Sequence, residues 1–169
     1  MIRLIVWFLM LTAGIIGGYL IDSVLFKSTL ESIPFHIVSF VIGAILLMVV
    51  LRISRNTGRT LAKYGRKGNV KRLDTNVLVK KGVYKYMRHP MHLGLLFMPL
   101  SLAFIIGSLS FILFIAPFEM LLMIIMIKTI EEPQTIKKFK DEYIAYKKEV
   151  PMFCLKIECL KALLKPYKE

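Results

Sequence analysis

The sequence predicts an all-α, polytopic membrane protein with about four transmembrane helices and amphipathic helices near its C-terminus, and three observations carry that prediction. Hydrophobic residues fill 56% of the 169 positions, and the mean hydropathy is +0.63. Four apolar runs approach the roughly 20 residues that a helix needs to cross a bilayer core. The charges, a formal net of +13, lie between these runs rather than inside them. The runs lack the alternation of barrel strands, and backbone groups in lipid must be paired internally, which leaves helices.

The first run, Leu4 to Ile21, follows Arg3 as a signal peptide would. It is long for such a segment, however, and no A-x-A site precedes Asp22 and Lys27, so it reads as a retained helix. The second run is Phe35 to Leu51, and the connection before it, Asp22 to Ile33, carries only Lys27 as a base. The long loop at 52–90 is polar, with Gly58, Gly65 and Gly68, and shows a helical period only as a short extension of the second span through Arg59. Met91 to Gly107 is short and interrupted by Pro99; it is expected to tilt, to kink, or to form a hairpin across Gly107-Ser108 with the fourth run, Leu109 to Ile127. Glu132-Pro133 marks where that fourth span should leave the membrane. Gln134 to Glu149 then carries Ile136, Phe139, Tyr143, Ile144 and Tyr146 among lysines, as an amphipathic helix does, and Pro151 stops it. Phe153 to Leu164 is a second apolar-basic segment suited to an anionic membrane surface.

Orientation follows from the basic residues. Arg52 to Arg88 holds twelve Lys and Arg, including Lys71 and Arg72, against the single acid Asp74; Lys128 to Lys168 holds ten more. The positive-inside rule then puts both termini and the 52–90 loop in the cytoplasm. The same rule and anionic lipid headgroups account for a pI near 9.9, so nucleic acid is not indicated. At this length one domain, 1–169, is expected. Cys154 and Cys159 lie so close in the tail that a disulfide would staple little, and they read as free thiols facing the cytosol.

Residues that spanning does not require gather in two places. Tyr84, Tyr86, Arg88, His89 and His92 precede and open the third run, and Glu131-Glu132 closes the fourth. If those runs form an antiparallel hairpin, their ends adjoin, and imidazole and cationic donors face acidic acceptors across a pocket roofed by loop and tail. Such a pocket suits an amino-acid-like moiety, whose carboxylate and ammonium need opposite partners. Interfacial anchoring of the histidines and a solvated helix end for the glutamates remain the plain alternatives. Two carboxylates at a helix C-terminus oppose its dipole, so their placement calls for a cationic partner.

The segment GVYKYMRHPMHLG, preceded by VLV and followed some forty residues later by EE and then DEYIAYKKEVP, resembles the isoprenylcysteine carboxyl methyltransferase and phospholipid methyltransferase superfamily of membrane enzymes. Three ordered blocks between about Asn69 and Met152 carry the resemblance. It implies a cytosol-facing pocket for S-adenosylmethionine and a lipid or lipidated acceptor arriving from the bilayer. By position, the cofactor would meet Asn76, Val77, Leu78, Val79, Tyr84, Arg88, His89, Pro90, Met91 and His92, with Glu131 and Glu132 at its charged end and Asn69 a further candidate. Catalytic roles would fall to His89, His92, Glu131 and Glu132. There is no metal set and no dinucleotide-binding glycine fingerprint.

Two departures bear on the acceptor. His92 stands where the family usually has Tyr, and Ile127, Lys128 and Thr129 stand where the carboxyl methyltransferase branch has an arginine. Lys128 offers an acceptor carboxylate a point charge but no bidentate fork. Glu131-Glu132-Pro133 also resembles the EEP of phospholipid N-methyltransferases, which tilts the reading toward a lipid amine. Glu119 falls mid-span two residues after Pro117; either it lines the acceptor's path or it is protonated and bonded to a carbonyl freed by the proline. Two other classes stay open: an NADPH-dependent reductase of the related sterol-reductase type, and a non-catalytic scaffold.

Overall fold

The structure is a computed structural model that describes residues 2–70 and 74–165, with side chains from Ile5 onward. Lys71, Arg72 and Lys168, counted above among the basic residues, lie outside the described residues, as does the side chain of Arg3. Every regular element among the described residues is helical: α1 (Ile2–Leu25), α2 (Lys27–Leu30), α3 (Ile33–Tyr64), a 3-10 turn (Gly82–Lys85), α4 (Pro90–Leu96), α5 (Met98–Ile106), α6 (Ala116–Met126), α7 (Glu132–Glu149) and α8 (Ile157–Leu164). The chain is thus an all-α integral membrane protein. Three helices are long and apolar enough to cross a membrane, Ile5–Leu25, Ile33–Tyr64 and Phe111–Glu149, beside the shorter apolar helix Pro90–Ile106.

The last long helix continues past Glu132-Pro133, where the fourth span is expected to leave the membrane, and is kinked at Lys140, whose φ of 49° is non-helical. It runs on through two π turns, Phe111–Ile115 ahead of α6 and Ile127–Glu131 ahead of α7. Each π turn closes two residues before a proline, Pro117 or Pro133. A proline lacks the N–H that an α ladder needs, and its ring strikes the carbonyl four residues back. The wider i→i+5 turn relaxes that constraint, so the helix survives both prolines. α3 likewise outruns its expected end, continuing past Arg59 to Tyr64.

The molecule divides into two compact units. In the first, formed by Met1–Met48 and Leu96–Ile125, the positions Gly14, Gly18 and Asp22 recur at intervals of four and share one buried face of α1. A Cβ on Gly14 would lie 2.7 Å from Glu119 Oε1 and 2.9 Å from the Phe111 ring, and one on Gly18 would lie 2.6 Å from Ser108 Oγ. Glycine here permits close helix contact. Asp22, expected in a connection, belongs instead to the last turns of α1, where its Oδ1 accepts the Ser110 N–H at 2.8 Å. Phe111, Ala103 and Ala116 form the apolar centre. Gly107 turns the chain after α5 with φ 73°, against the His36 ring, as the Gly107-Ser108 turn predicts.

The second unit comprises Val49–Leu95 and Met126–Glu169. Its buried residues include Val50, Ile53, Tyr84, Met87, Leu93, Ile127, Tyr143, Tyr146 and Leu163. The described parts of its loop are clipped by Asn76, whose amide accepts from the Lys67 N–H and donates to the Lys67 carbonyl, both at 2.8 Å. After α7 the chain runs alongside the residues before α4: Pro151 O accepts the Arg88 N–H at 2.9 Å and Met152 O the His89 N–H at 3.2 Å. Arg52 and Asn56 then donate to carbonyls at the end of α8. The two cysteines are not free thiols. Cys154, before α8, and Cys159, inside it, lie 5.9 Å apart at Cα and are joined as a disulfide, because the turn into the helix brings them within bonding range.

Candidate functional site

The site forms in the second unit around one carboxylate. Glu132, 3% exposed at the start of α7, accepts at Oε1 from Arg88 Nε at 3.0 Å and Arg88 Nη2 at 2.6 Å, and its Oε2 meets Lys147 Nζ at 2.5 Å. Arg88 is fixed further by the carbonyls of Lys147 at 3.3 Å and Val150 at 2.5 Å. Two cations therefore partner this carboxylate, although the helix dipole does not call for them, because the helix runs on and Glu132 opens α7 instead of closing a helix. A buried carboxylate with two cations and directed hydrogen bonds is fully compensated.

His89 lies against this network. Its Nε2 is 3.5 Å from both Glu132 Oε1 and the Tyr143 hydroxyl, at the outer limit of a hydrogen bond. Burial holds its pKa down at about 4, with His92 adding to the depression and Glu132 opposing it. His89 is a neutral imidazole near pH 7. The His92 ring stands edge-on to it, with centroids 5.4 Å apart, and His92 Nε2 is 3.8 Å from Glu131 Oε2. The glutamate pair is thus divided between two tasks: Glu132 is enclosed by cations, whereas Glu131 and His92 keep 18% and 23% of their side-chain surface exposed.

Tyrosines complete the wall. The Tyr146 hydroxyl donates to the Tyr84 carbonyl, and its ring stands edge-on to Tyr143 at 6.0 Å. The Tyr84 hydroxyl is itself buried without a hydrogen-bond partner, and burial raises its pKa. An unsatisfied buried hydroxyl costs free energy, and a ligand's polar group would relieve that cost.

The structure brings Arg88, His89, His92, Glu131 and Glu132 together as expected. The Asn76 amide is engaged with the Lys67 backbone. Val77, Leu78 and Val79 line a cleft of about 440 Å³ whose other walls are basic. Asn69 is exposed in the loop, Lys128 is exposed, and Glu119 belongs to the first unit, where its Oε2 is buried without a hydrogen-bond partner. Tyr143, Tyr146 and Lys147 were missed as site residues. Their signal is the EY-x-x-Y spacing, which puts both rings on one face of α7.

A polytopic helical membrane protein with a histidine, arginine and glutamate cluster at helix ends is the class that fold and site define. The sequence profile of the phospholipid methyltransferase family matches residues 35–142, and the chain belongs to that family. It is a membrane methyltransferase of the phospholipid and isoprenylcysteine kind. No curated protein and no solved structure matches the chain significantly.

Proposed function

We propose that the protein transfers a methyl group from S-adenosylmethionine to a lipid amine, as a single domain whose termini and 52–90 loop face the cytoplasm. The observation that carries this reading is the division of the glutamate pair. Glu132 already has both oxygens engaged by Arg88 and Lys147. Glu131, partly exposed, supplies the acidic group that the ammonium of an amino-acid moiety requires. The buried Tyr84 hydroxyl offers a further unsatisfied donor, so these residues fit the cofactor.

When bound, the cofactor supplies an electrophilic methyl on a sulfonium. The chain's part is to position and to move a proton. Arg88, Glu132, Tyr143 and Lys147 hold His89 and the start of α7 in place, and positioning is the main lever for an in-line displacement. An ammonium acceptor must lose a proton before it attacks. His89, with a pKa near 4, is too weak a base to keep one at neutral pH. That role falls to His92, with Glu131 at 3.8 Å to stabilise the imidazolium that forms. A prenylcysteine carboxylate would instead need a cation at the acceptor position, and Arg88 is already committed to Glu132.

Calorimetry on the purified protein in detergent should detect S-adenosylmethionine binding that Glu131→Gln weakens. Lipid extracts from cells with and without the protein should differ by added methyl groups on an amine headgroup, and His92→Ala should abolish that difference. Absence of both cofactor binding and lipid methylation would sink the reading; stabilisation by NADPH instead would select the reductase class.

A further inference from the structure

α8 carries apolar residues on two faces. Its Cys159 and Leu163 are buried, and the helix lies against the 3-10 turn Gly82–Lys85. Leu160 and Leu164 each follow a buried residue by one, so with Ile157 they form a second stripe rotated by about 100° from the first. This second stripe is open. Ile157 is 70% exposed, Leu160 39% and Leu164 40%, and Leu155, just before the helix, is as exposed as Ile157. In water, a contiguous apolar patch of this kind would stay uncovered at a free-energy cost.

The height of α8 points to what covers the stripe. Arg52 and Asn56, one turn apart on α3, donate to carbonyls at its C-terminal end: Arg52 Nε to Leu164 O at 3.2 Å, and Asn56 Nδ2 to Lys165 O at 3.0 Å. The apolar run of α3 ends at Leu51, so both residues lie within about 8 Å of that end along the helix axis. The headgroup layer of a bilayer is about 5–8 Å deep on each side of the hydrocarbon. The C-terminal end of α8 is therefore pinned at headgroup depth, where an apolar stripe reaches the upper acyl chains. Lys156, Lys161 and Lys165 are exposed around the stripe, against one acid, Glu158. Lysine stems can lie along apolar surface while their ammonium groups reach lipid phosphates.

We infer that α8 docks in the headgroup layer of an anionic bilayer, with Ile157, Leu160 and Leu164 against the acyl chains and the three lysines on the headgroups. The excess of lysine over glutamate sets a preference for net-negative lipids over zwitterionic ones. This needs only that α3 spans a membrane, and it holds whichever acceptor is methylated.

The test uses the full chain reconstituted in vesicles. Trp7, its single tryptophan, is changed to Phe, and a reporter is introduced by Leu160→Trp or, in a second variant, by Leu164→Trp, so that a fault in one does not decide the outcome. In phosphatidylcholine vesicles containing phosphatidylglycerol, both reporters should emit to the blue and be quenched by bromine carried on the upper acyl chains. A reporter at Glu158→Trp, on the polar side of α8, should be quenched less. Adding Lys156→Gln/Lys161→Gln/Lys165→Gln should lower the ratio of docked to undocked reporter by about tenfold or more, and leaving out phosphatidylglycerol should act in the same direction. Red emission without quenching at both positions would place the stripe in water. Blue emission without quenching would place it against protein, as between two copies of the chain. Quenching indifferent both to phosphatidylglycerol and to the lysines would remove the anionic preference. Each of these three results would overturn the inference.

Discussion

Glu119 and Glu132 sit on one long helix, each 3% exposed, yet their surroundings are opposite. Glu132 has Arg88 on one oxygen and Lys147 on the other. Glu119 has one oxygen against the bare Cα of Gly14 and the other buried without a hydrogen-bond partner. A compensated carboxylate holds its neighbours in register, and removing it strands two cations. An uncompensated one adds cost rather than cohesion, so its presence points to a role outside stability.

The contrast can be broken most directly by neutralising each acid. Glu132→Gln should destabilise the protein by about 3–5 kcal/mol, because Arg88 and Lys147 lose their counter-charge. Glu119→Gln should stay within about 1 kcal/mol of wild type. Equal losses in thermal unfolding would erase the distinction. Next in size is a pH effect on the Glu132 side. The folded state holds His89 at about 4 and the unfolded chain at 6.5, so the unfolded state binds more protons between those values. Stability should be full above pH 6.5 and fall as pH drops toward 4, by about 3 kcal/mol at most. His89→Gln should flatten that part of the profile, and a slope unchanged in the variant would assign it elsewhere.

On the Glu119 side, Gly14→Val inserts atoms against the buried Phe111 ring and should cost about 1–3 kcal/mol. Combining it with Glu119→Ala should recover only part of the loss, since Phe111 remains in the way; full additivity would show that Glu119 does not share the contact. The smallest effect belongs to Tyr146→Phe. It removes the bond to the Tyr84 carbonyl and should cost about 1 kcal/mol, read from the unfolding midpoint.

Spans were legible because a run of apolar residues has few alternatives in a bilayer. The cluster of Arg88, His89, His92, Glu131 and Glu132 was legible because such residues have no use in spanning. The separate tasks of the two glutamates were not, since adjacent residues with the same side chain differ only in which helix face they take. Tyr143 and Tyr146 read as the apolar face of an amphipathic helix, which they are, and nothing in that pattern says what the hydroxyls touch. The disulfide was misjudged because closeness in sequence suggested little gain in stability, while bonding depends on how the chain turns into α8. The π turns before Pro117 and Pro133 were not legible, because sequence shows where a proline interrupts the α ladder but not how the backbone accommodates it.

Those turns act on the helix as an inserted letter acts on a reading frame. Between Ile127 and Glu131 the backbone bond runs from the Glu132 N–H to the Ile127 carbonyl, five residues back rather than four. One extra residue per turn rotates everything downstream by about 100°. Which of two neighbouring glutamates meets Arg88 is therefore set by backbone phase as much as by side-chain chemistry. Closing this turn to α geometry with no residue removed would keep every charge in the sequence yet swing Glu132 off its cations and set the Pro133 ring against a carbonyl.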